Sequence, residues 1–319
     1  MLQMDERILY KFKGAILGHA VGDALGVPVE FYNREELDRS PVTEMEGFGT
    51  YPYPAGTWSD DTSMTLAALD SLSEGLHYDD IMVKFCQWLY NDEYTPSGET
   101  FDNGVTTEIA LDRYRTGNKP PLECGETGER SNGNGSLMRI IPFILYTKYS
   151  SYSMVPLSGK MNIIHNASSL THGHLRSKIA CGIYAYIMDE LLDNPRKESV
   201  YSGLEKAMDY YKNQEELSKY TRLFQKNFQE LSRDEIKSSG YVVDTLEASI
   251  WCLLTTDSYK DCVLKAVNLG EDTDTVAAIA GGLAGILYGY DSIPEEWLSV
   301  LARKDYIISL CEKAYASWQ

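Results

Sequence analysis

The sequence predicts an all-α fold, a single compact multi-helix domain over residues 1–319. Three observations carry that reading. Apolar residues recur at helical spacing through ten separate segments. No run of alternating β-branched residues persists, and no βαβ rhythm appears. No internal repeat and no linker divides the chain.

Taken in order, residues 8–26 repeat small and apolar positions, and Gly14, Gly18, Gly22 and Gly26 recur every four residues as one bare stripe on a helix. Each glycine costs about 1 kcal/mol of helix stability relative to alanine, so the stripe is expected to face a helix packed very close. Further helices are predicted at 62–75, 78–90, 104–116, 136–148, 174–192, 242–254, 258–268, 274–288 and 295–316. Ser59, Asp79 and Ser258 stand where N-caps are wanted. Segments 41–58 and 117–135, rich in Gly and Pro, read as loops. The charged, glycine-poor stretch 190–240 reads as a solvent-facing helical excursion.

The net charge is −18, from 47 acidic and 29 basic residues. Such a surface repels phosphate backbones, which argues against a nucleic-acid partner. A small anionic ligand in a locally neutralised pocket remains compatible with it. Six cysteines, no pair spaced as CxxC, argue against structural zinc and a disulfide scaffold. The opening Met1-Leu-Gln-Met-Asp-Glu-Arg7 lacks the order of a signal peptide. The best apolar run, Gly14 to Val29, is too short for a bilayer and carries His19 and Asp23. A cytoplasmic protein with no membrane partner is expected; its oligomeric state is left open.

Two acidic clusters sit where apolar helices begin. Gly56-Thr-Trp-Ser59-Asp60-Asp61-Thr62 runs into Thr65-Leu-Ala-Ala-Leu69, and Gly270-Glu-Asp272-Thr-Asp274-Thr275 runs into Val276-Ala-Ala-Ile279. Acids in a first turn also serve simply as dipole complements. Together, however, the four aspartates with Ser59 and Thr275 form an all-oxygen donor set that suits Mg²⁺ or Mn²⁺ and suffices for two ions. An EF-hand does not fit, since counting from Asp272 puts Ala277 and Leu283 where that loop needs Gly and Glu. A third element, Ser131-Asn-Gly133-Asn134-Gly135-Ser136, precedes an apolar run and could cradle phosphate on its backbone N–H groups. Thr171-His172 and Phe101-Asp102-Asn-Gly104 lie at two further helix entries, where capping and ligand contact are both open.

In combination these segments resemble the ADP-ribosylglycohydrolase family. The matching stretches are Gly18-His-Ala-Val-Gly-Asp-Ala-Leu-Gly26, Gly56 to Thr62, Gly133-Asn-Gly-Ser-Leu-Met-Arg139, Thr171-His172 and Gly270 to Thr275, in the family's order. The resemblance implies an all-α fold with a centre of two divalent cations, Mg²⁺ or Mn²⁺, at the floor of a cleft. Its implied ligands are Ser59, Asp60, Asp61, Asp272, Asp274 and Thr275, with Ser59 standing where threonine is often found. Glu30 matches a loop acid near the metals in some members, and Asp102 an acid near the scissile ribose. By the same resemblance Gly133, Asn134, Gly135 and Ser136 would face the diphosphate and His172 the nucleotide.

The expected activity is metal-dependent hydrolysis of the bond between ADP-ribose and a protein or small-molecule acceptor. Asp102 or Glu30 would do the proton work. Hydrolysis of another ribosylated or free ADP-ribose derivative, and a non-catalytic ADP-ribose-binding module, are the alternatives.

Overall fold

The computed structural model describes residues 5–319, so the leader reading at Met1 to Met4 lies outside the described residues. The helices are α1 (Glu6–Gly26), α2 (Arg34–Arg39), α3 (Asp60–Leu72), α4 (Tyr78–Asn91), α5 (Val105–Arg115), α6 (Ile141–Tyr149) and α7 (Leu157–Ser169). They continue as α8 (Leu175–Asp193), α9 (Lys197–Tyr211), α10 (Val242–Leu254), α11 (Tyr259–Val267), α12 (Thr273–Leu287), α13 (Glu295–Val300) and α14 (Lys304–Ser317). The extended pairing among the described residues is two isolated bridges, Glu126 with His172 and Gly133 with Tyr241. The all-α expectation holds.

At the centre, α1 and α12 run antiparallel along the glycine stripe. A Cβ on Gly14 would stand 2.3 Å from the Gly285 carbonyl oxygen, on Gly18 2.5 Å from that of Gly281, and on Gly22 2.2 Å from that of Ala277. Only hydrogen at these positions lets the backbones meet. The remaining helices close over the pair, with α10 and α11 against α12, α14 against α1, and α3 packed between α1, α4 and α6. Helices α3 and α12 are buried on nearly every side, α12 being small and apolar beyond its first turn and α3 carrying its apolar residues with short Ser and Thr side chains. No helix among the described residues is long and apolar enough to cross a membrane.

Several boundaries differ from expectation. Residues 135–139 form turns, and α6 starts only at Ile141, with Pro142 in its first turn. His77 rather than Asp79 occupies the N-cap of α4. The predicted 295–316 helix is two, broken where Arg303 adopts φ 52°. Stretch 190–240 is no excursion. There α9 lies on α8, so closely that a Cβ on Gly203 would be 2.6 Å from the Ile187 Cα. The 3₁₀ turns that follow bury Tyr220, Leu223 and Phe228 in the common core.

Candidate active site

The mouth of α3 is held partly from another helix. Ser59 caps it, its hydroxyl accepting the Asp61 N–H at 3.3 Å. Asp23 of α1 accepts the Ser59 N–H at 2.9 Å, the Thr62 N–H at 3.0 Å and the Thr62 hydroxyl at 2.6 Å. One buried carboxylate therefore satisfies three buried donors at the start of the helix. Burial pushes Asp23 up to about 6 against the pull of those bonds. Asp60 and Asp61 are thereby presented from a fixed first turn.

The mouth of α12 is laced to three other segments. The Phe31 N–H donates to the Glu271 carbonyl and the Glu271 N–H to the Tyr32 carbonyl, both at 2.7 Å, which ties the Glu30 segment to the Asp272 turn. The Asp272 N–H donates to the Ser238 carbonyl at 3.0 Å. Asn134 Nδ2 donates to Asp272 Oδ2 at 2.7 Å and to Thr245 Oγ1 at 3.0 Å. Finally, the Thr275 hydroxyl donates to Asp61 Oδ1 at 3.3 Å, joining the two mouths directly.

Between them the carboxylates gather. Oxygens of Glu30, Asp102 and Asp274 all lie within 4.8 Å of one another, so two acids remote in sequence from both clusters join the second one. Glu30 Oε2, Asp61 Oδ2 and Asp274 Oδ2 are buried with no hydrogen-bond partner. Burial and mutual repulsion push Asp60, Asp61 and Asp274 well above the usual carboxylate range. Glu30 is pushed up to about 9, by burial first and by Asp102 and Asp272 next. Unpaired buried carboxylate oxygens are costly, and a hard divalent cation is what an all-oxygen set of this kind can hold. The donor set fits a metal.

A cavity of about 250 Å³ opens over this group, lined by Glu30, Asp60, Asp102, Asp272 and Thr275 on one side and by Gly133, Asn134, Gly135 and His172 on the other. Not every predicted binding residue offers its side chain to it. Ser136 is fully buried, its hydroxyl between Ser168 Oγ at 2.9 Å and Cys181 Sγ at 3.6 Å. Asn134 spends its N–H on the Gly240 carbonyl at 3.1 Å and its amide on Asp272, so it braces a carboxylate rather than cradling phosphate. Gly133 and Gly135 leave room for the His172 ring; a Cβ on Gly135 would meet its Cε1 at 2.8 Å.

Sequence reasoning missed four contributors. Asp23 stands in the apolar run Gly14 to Val29 and in the matching stretch Gly18 to Gly26, with nothing local to give it a role. Tyr51 and Tyr53 of the 41–58 loop pack on Phe101 at ring distances of 4.9 and 4.6 Å, pinning the turn in which Asp102 takes φ 56°. Arg139, the last residue of the stretch Gly133 to Arg139, is fully buried.

Two other places offer less. Glu129, His174 and Glu216 could group around a metal, but Arg176 donates to Glu129 and Glu216 at 2.7 Å each, and His174 Nδ1 accepts the Arg176 N–H. A larger groove of about 590 Å³ beside α8 and α9 is acidic, yet its Asp189, Asp193 and Glu190 pair with Lys148 and Lys206. Neither holds an unpartnered buried carboxylate.

Fold and site together define an all-α glycohydrolase with a carboxylate-floored cleft. The family model described as ADP-ribosylglycohydrolase matches residues 4–319, and the chain belongs to that family. It is 33% identical over 313 residues to the ADP-ribosylarginine hydrolase Tri1 of Serratia proteamaculans, covering 98% of this chain and 80% of that protein. Against the ADP-ribosyl-[dinitrogen reductase] glycohydrolase of Rhodospirillum rubrum the identity is 31%, with 91% and 90% covered. A solved structure described as an ADP-ribosylglycohydrolase-related protein complex superposes with a TM-score of 0.82 at 30% identity, covering 98% of this chain and 100% of that one.

Proposed function

We propose that the protein is a metal-dependent hydrolase that releases ADP-ribose from a modified acceptor, with two Mg²⁺ or Mn²⁺ ions held by Ser59, Asp60, Asp61, Asp272, Asp274 and Thr275. The supporting observation is the gathering of carboxylates at the two helix mouths: Glu30, Asp60, Asp102 and Asp272 line the cavity, Asp274 lies within 4.8 Å of Glu30 and Asp102, and one oxygen each of Glu30, Asp61 and Asp274 is buried without a partner. When bound, the cations would neutralise these acids, hold the ribose hydroxyls and make a water more acidic.

The chain's own residues supply the rest. Cleavage at the anomeric carbon passes through an oxocarbenium-like state and needs a proton taken from water and one given to the leaving group. Asp102 and Glu30 line the cavity within reach of one another and of Asp274, and proton transfer falls to this pair. Thr275 and Asn134 orient Asp61 and Asp272. The bare faces of Gly133 and Gly135, with His172, receive the diphosphate and nucleotide.

An arginine side chain is the favoured acceptor, because the 33%-identical relative is named for ADP-ribosylarginine. The six cysteines are free, which suits a reducing cytoplasm. The test is a panel of proteins ADP-ribosylated on arginine or on serine, plus free ADP-ribose derivatives, assayed with Mg²⁺, Mn²⁺ or chelator. Metal-dependent release from arginine supports the reading. Tight ADP-ribose binding without release from any member would instead make the protein a binding module.

A further inference from the structure

The cavity wall includes four carboxylates, from Glu30, Asp60, Asp102 and Asp272, and no Lys or Arg. An anionic ligand must therefore find its donors elsewhere. Behind the wall lies Arg139, fully buried, with no carboxylate in ion-pair range among the described residues. Its Nη1 donates to the Ala167 carbonyl at 3.2 Å and its Nη2 to Thr171 Oγ1 at 2.7 Å. The guanidinium lies 4.8 Å over the Phe85 ring, and its Nε has no partner. A buried cation without a counter-ion is expensive, so the local structure is arranged around it for a reason other than stability.

The reason lies one residue further on. Thr171 is fully buried, and its hydroxyl oxygen lies 2.8 Å from His172 Nδ1. Arg139 can only donate, so the Thr171 oxygen accepts on that side. Its own proton then has one hydrogen-bond partner among the described residues, His172 Nδ1. The reverse arrangement would leave a buried hydroxyl proton with no acceptor. With Nδ1 accepting, the imidazole proton sits on Nε2, and that edge of the ring lies beside Gly133 and Gly135 on the cavity wall. The backbone around it is also fixed: the His172 N–H donates to the Ser168 carbonyl at 2.7 Å, and Ser168 Oγ to the His172 carbonyl at 2.8 Å.

We propose that Arg139 and Thr171 are positioning residues that hold His172 as its neutral Nε2–H tautomer, a fixed donor aimed at a phosphoryl oxygen of the ligand. The ligand part rests on the ADP-ribose reading above; the relay does not. Burial, and then the charge of Arg139, keep His172 down to about 3, so a second cation does not form there at neutral pH. The relay thus offers an anion a polarised donor without placing a mobile positive charge beside the metal-candidate carboxylates.

The test is ring-¹⁵N NMR on histidine-labelled protein at pH 7, with the His172 signal assigned by its loss in His172→Gln. The wild type and Thr171→Ser, which keeps the hydroxyl, should show the neutral Nε2–H tautomer. Thr171→Val should lose that preference and bind ADP-ribose about 10-fold more weakly or worse, as expected for one hydrogen bond to a charged group. An imidazolium or an Nδ1–H tautomer in the wild type would overturn the proposal, as would unchanged tautomer and affinity in a folded Thr171→Val. If Thr171→Val does not fold, the wild-type tautomer decides alone. If ADP-ribose fails to bind the wild type while the tautomer is as stated, the relay stands and the ADP-ribose reading of the cavity is what fails.

Discussion

Gly26 lies directly on the backbone of Asp274: a Cβ placed on Gly26 would stand 2.2 Å from the Asp274 Cα and 2.3 Å from its nitrogen. The Gly26 carbonyl also accepts the Thr273 hydroxyl at 2.8 Å. The close-packed seam between α1 and α12 therefore ends at the mouth that presents the carboxylates. Helix packing and carboxylate placement are one constraint.

That constraint predicts a graded response to alanine. Overpacking a tight core by a methyl group typically costs about 1–3 kcal/mol. At Gly22 and Gly26 the clashing atoms are backbone and cannot rotate away, so both variants should fall at or above the upper end in denaturant unfolding. Gly104→Ala, with nothing within 4 Å of its Cβ and an ordinary φ of −69°, loses a favourable N-cap residue but restricts the unfolded chain, and should change stability by about 1 kcal/mol or less. Equal stability across the three variants would refute the seam as described.

The raised carboxylates predict how the metal-free protein responds to pH. A group whose folded pKa exceeds its unfolded value stabilises the fold below the unfolded value and loses that contribution as pH rises through the folded one. For Glu30 the window runs from 4.5 to about 9, and Asp60, Asp61 and Asp274 shift in the same sense. His19, His165 and His172 are held down to about 4, 4 and 3 and act in the opposite sense, with stability lost as pH falls from 6.5. Above about pH 7.5 those histidines are neutral in both states. Between about pH 7.5 and 9 the Tm of chelator-treated protein should therefore fall, and saturating Mg²⁺ or Mn²⁺ should flatten the slope. A Tm that rises over this interval without metal would contradict the account.

Asp23 should matter to the site without touching the cavity. Asp23→Asn replaces an acceptor oxygen with an amide that must face one of the Ser59 or Thr62 donors. The expected loss is about 1–3 kcal/mol of stability, together with weaker metal binding by calorimetry. Thr62→Val removes one of the three bonds and should cost less. Unaltered stability and metal affinity in Asp23→Asn would remove it from the positioning of α3.

Asp102 and Glu30 should separate on substitution. Glu30 is buried with one oxygen unpartnered, whereas Asp102 is partly open and held by the aromatic contacts of Phe101. Asp102→Asn should lower single-turnover rates by about 10²–10⁴-fold with metal content retained. Glu30→Gln should lower both rate and metal occupancy. Wild-type rates in both variants would assign the proton work elsewhere.

Most of the helices and both acidic mouths are legible in the sequence because their signals are local. An aspartate pair next to an N-capping Ser59, followed by an apolar run, is complete within a dozen residues. What escapes depends on distant partners. Helix α7 opens on Leu157-Ser-Gly-Lys, with little periodicity of its own, and gains its burial from α6 and α8. Tyr220 and Phe228 sit among charged residues, and only the packed structure shows them buried. The role of Asp23 is set by residues 36 and 39 positions away, and that of Asn134 by Asp272, 138 positions away. Ser136 shows the same limit: a motif gives the residue, while the turn decides which way its side chain faces, here toward Ser168 and Cys181.

The central claim is that both helix mouths hold metal together and that this metal is needed for glycosidic cleavage. The most direct measurement is release of ADP-ribose from an arginine-ADP-ribosylated protein, with bound Mg²⁺ or Mn²⁺ quantified in the same samples, for wild type, Asp60→Ala and Asp272→Ala. The account predicts metal-dependent release by the wild type, and loss of most metal and nearly all activity in each variant, although the substitutions lie on separate mouths. Full release in chelator, or either variant retaining wild-type activity, would contradict it.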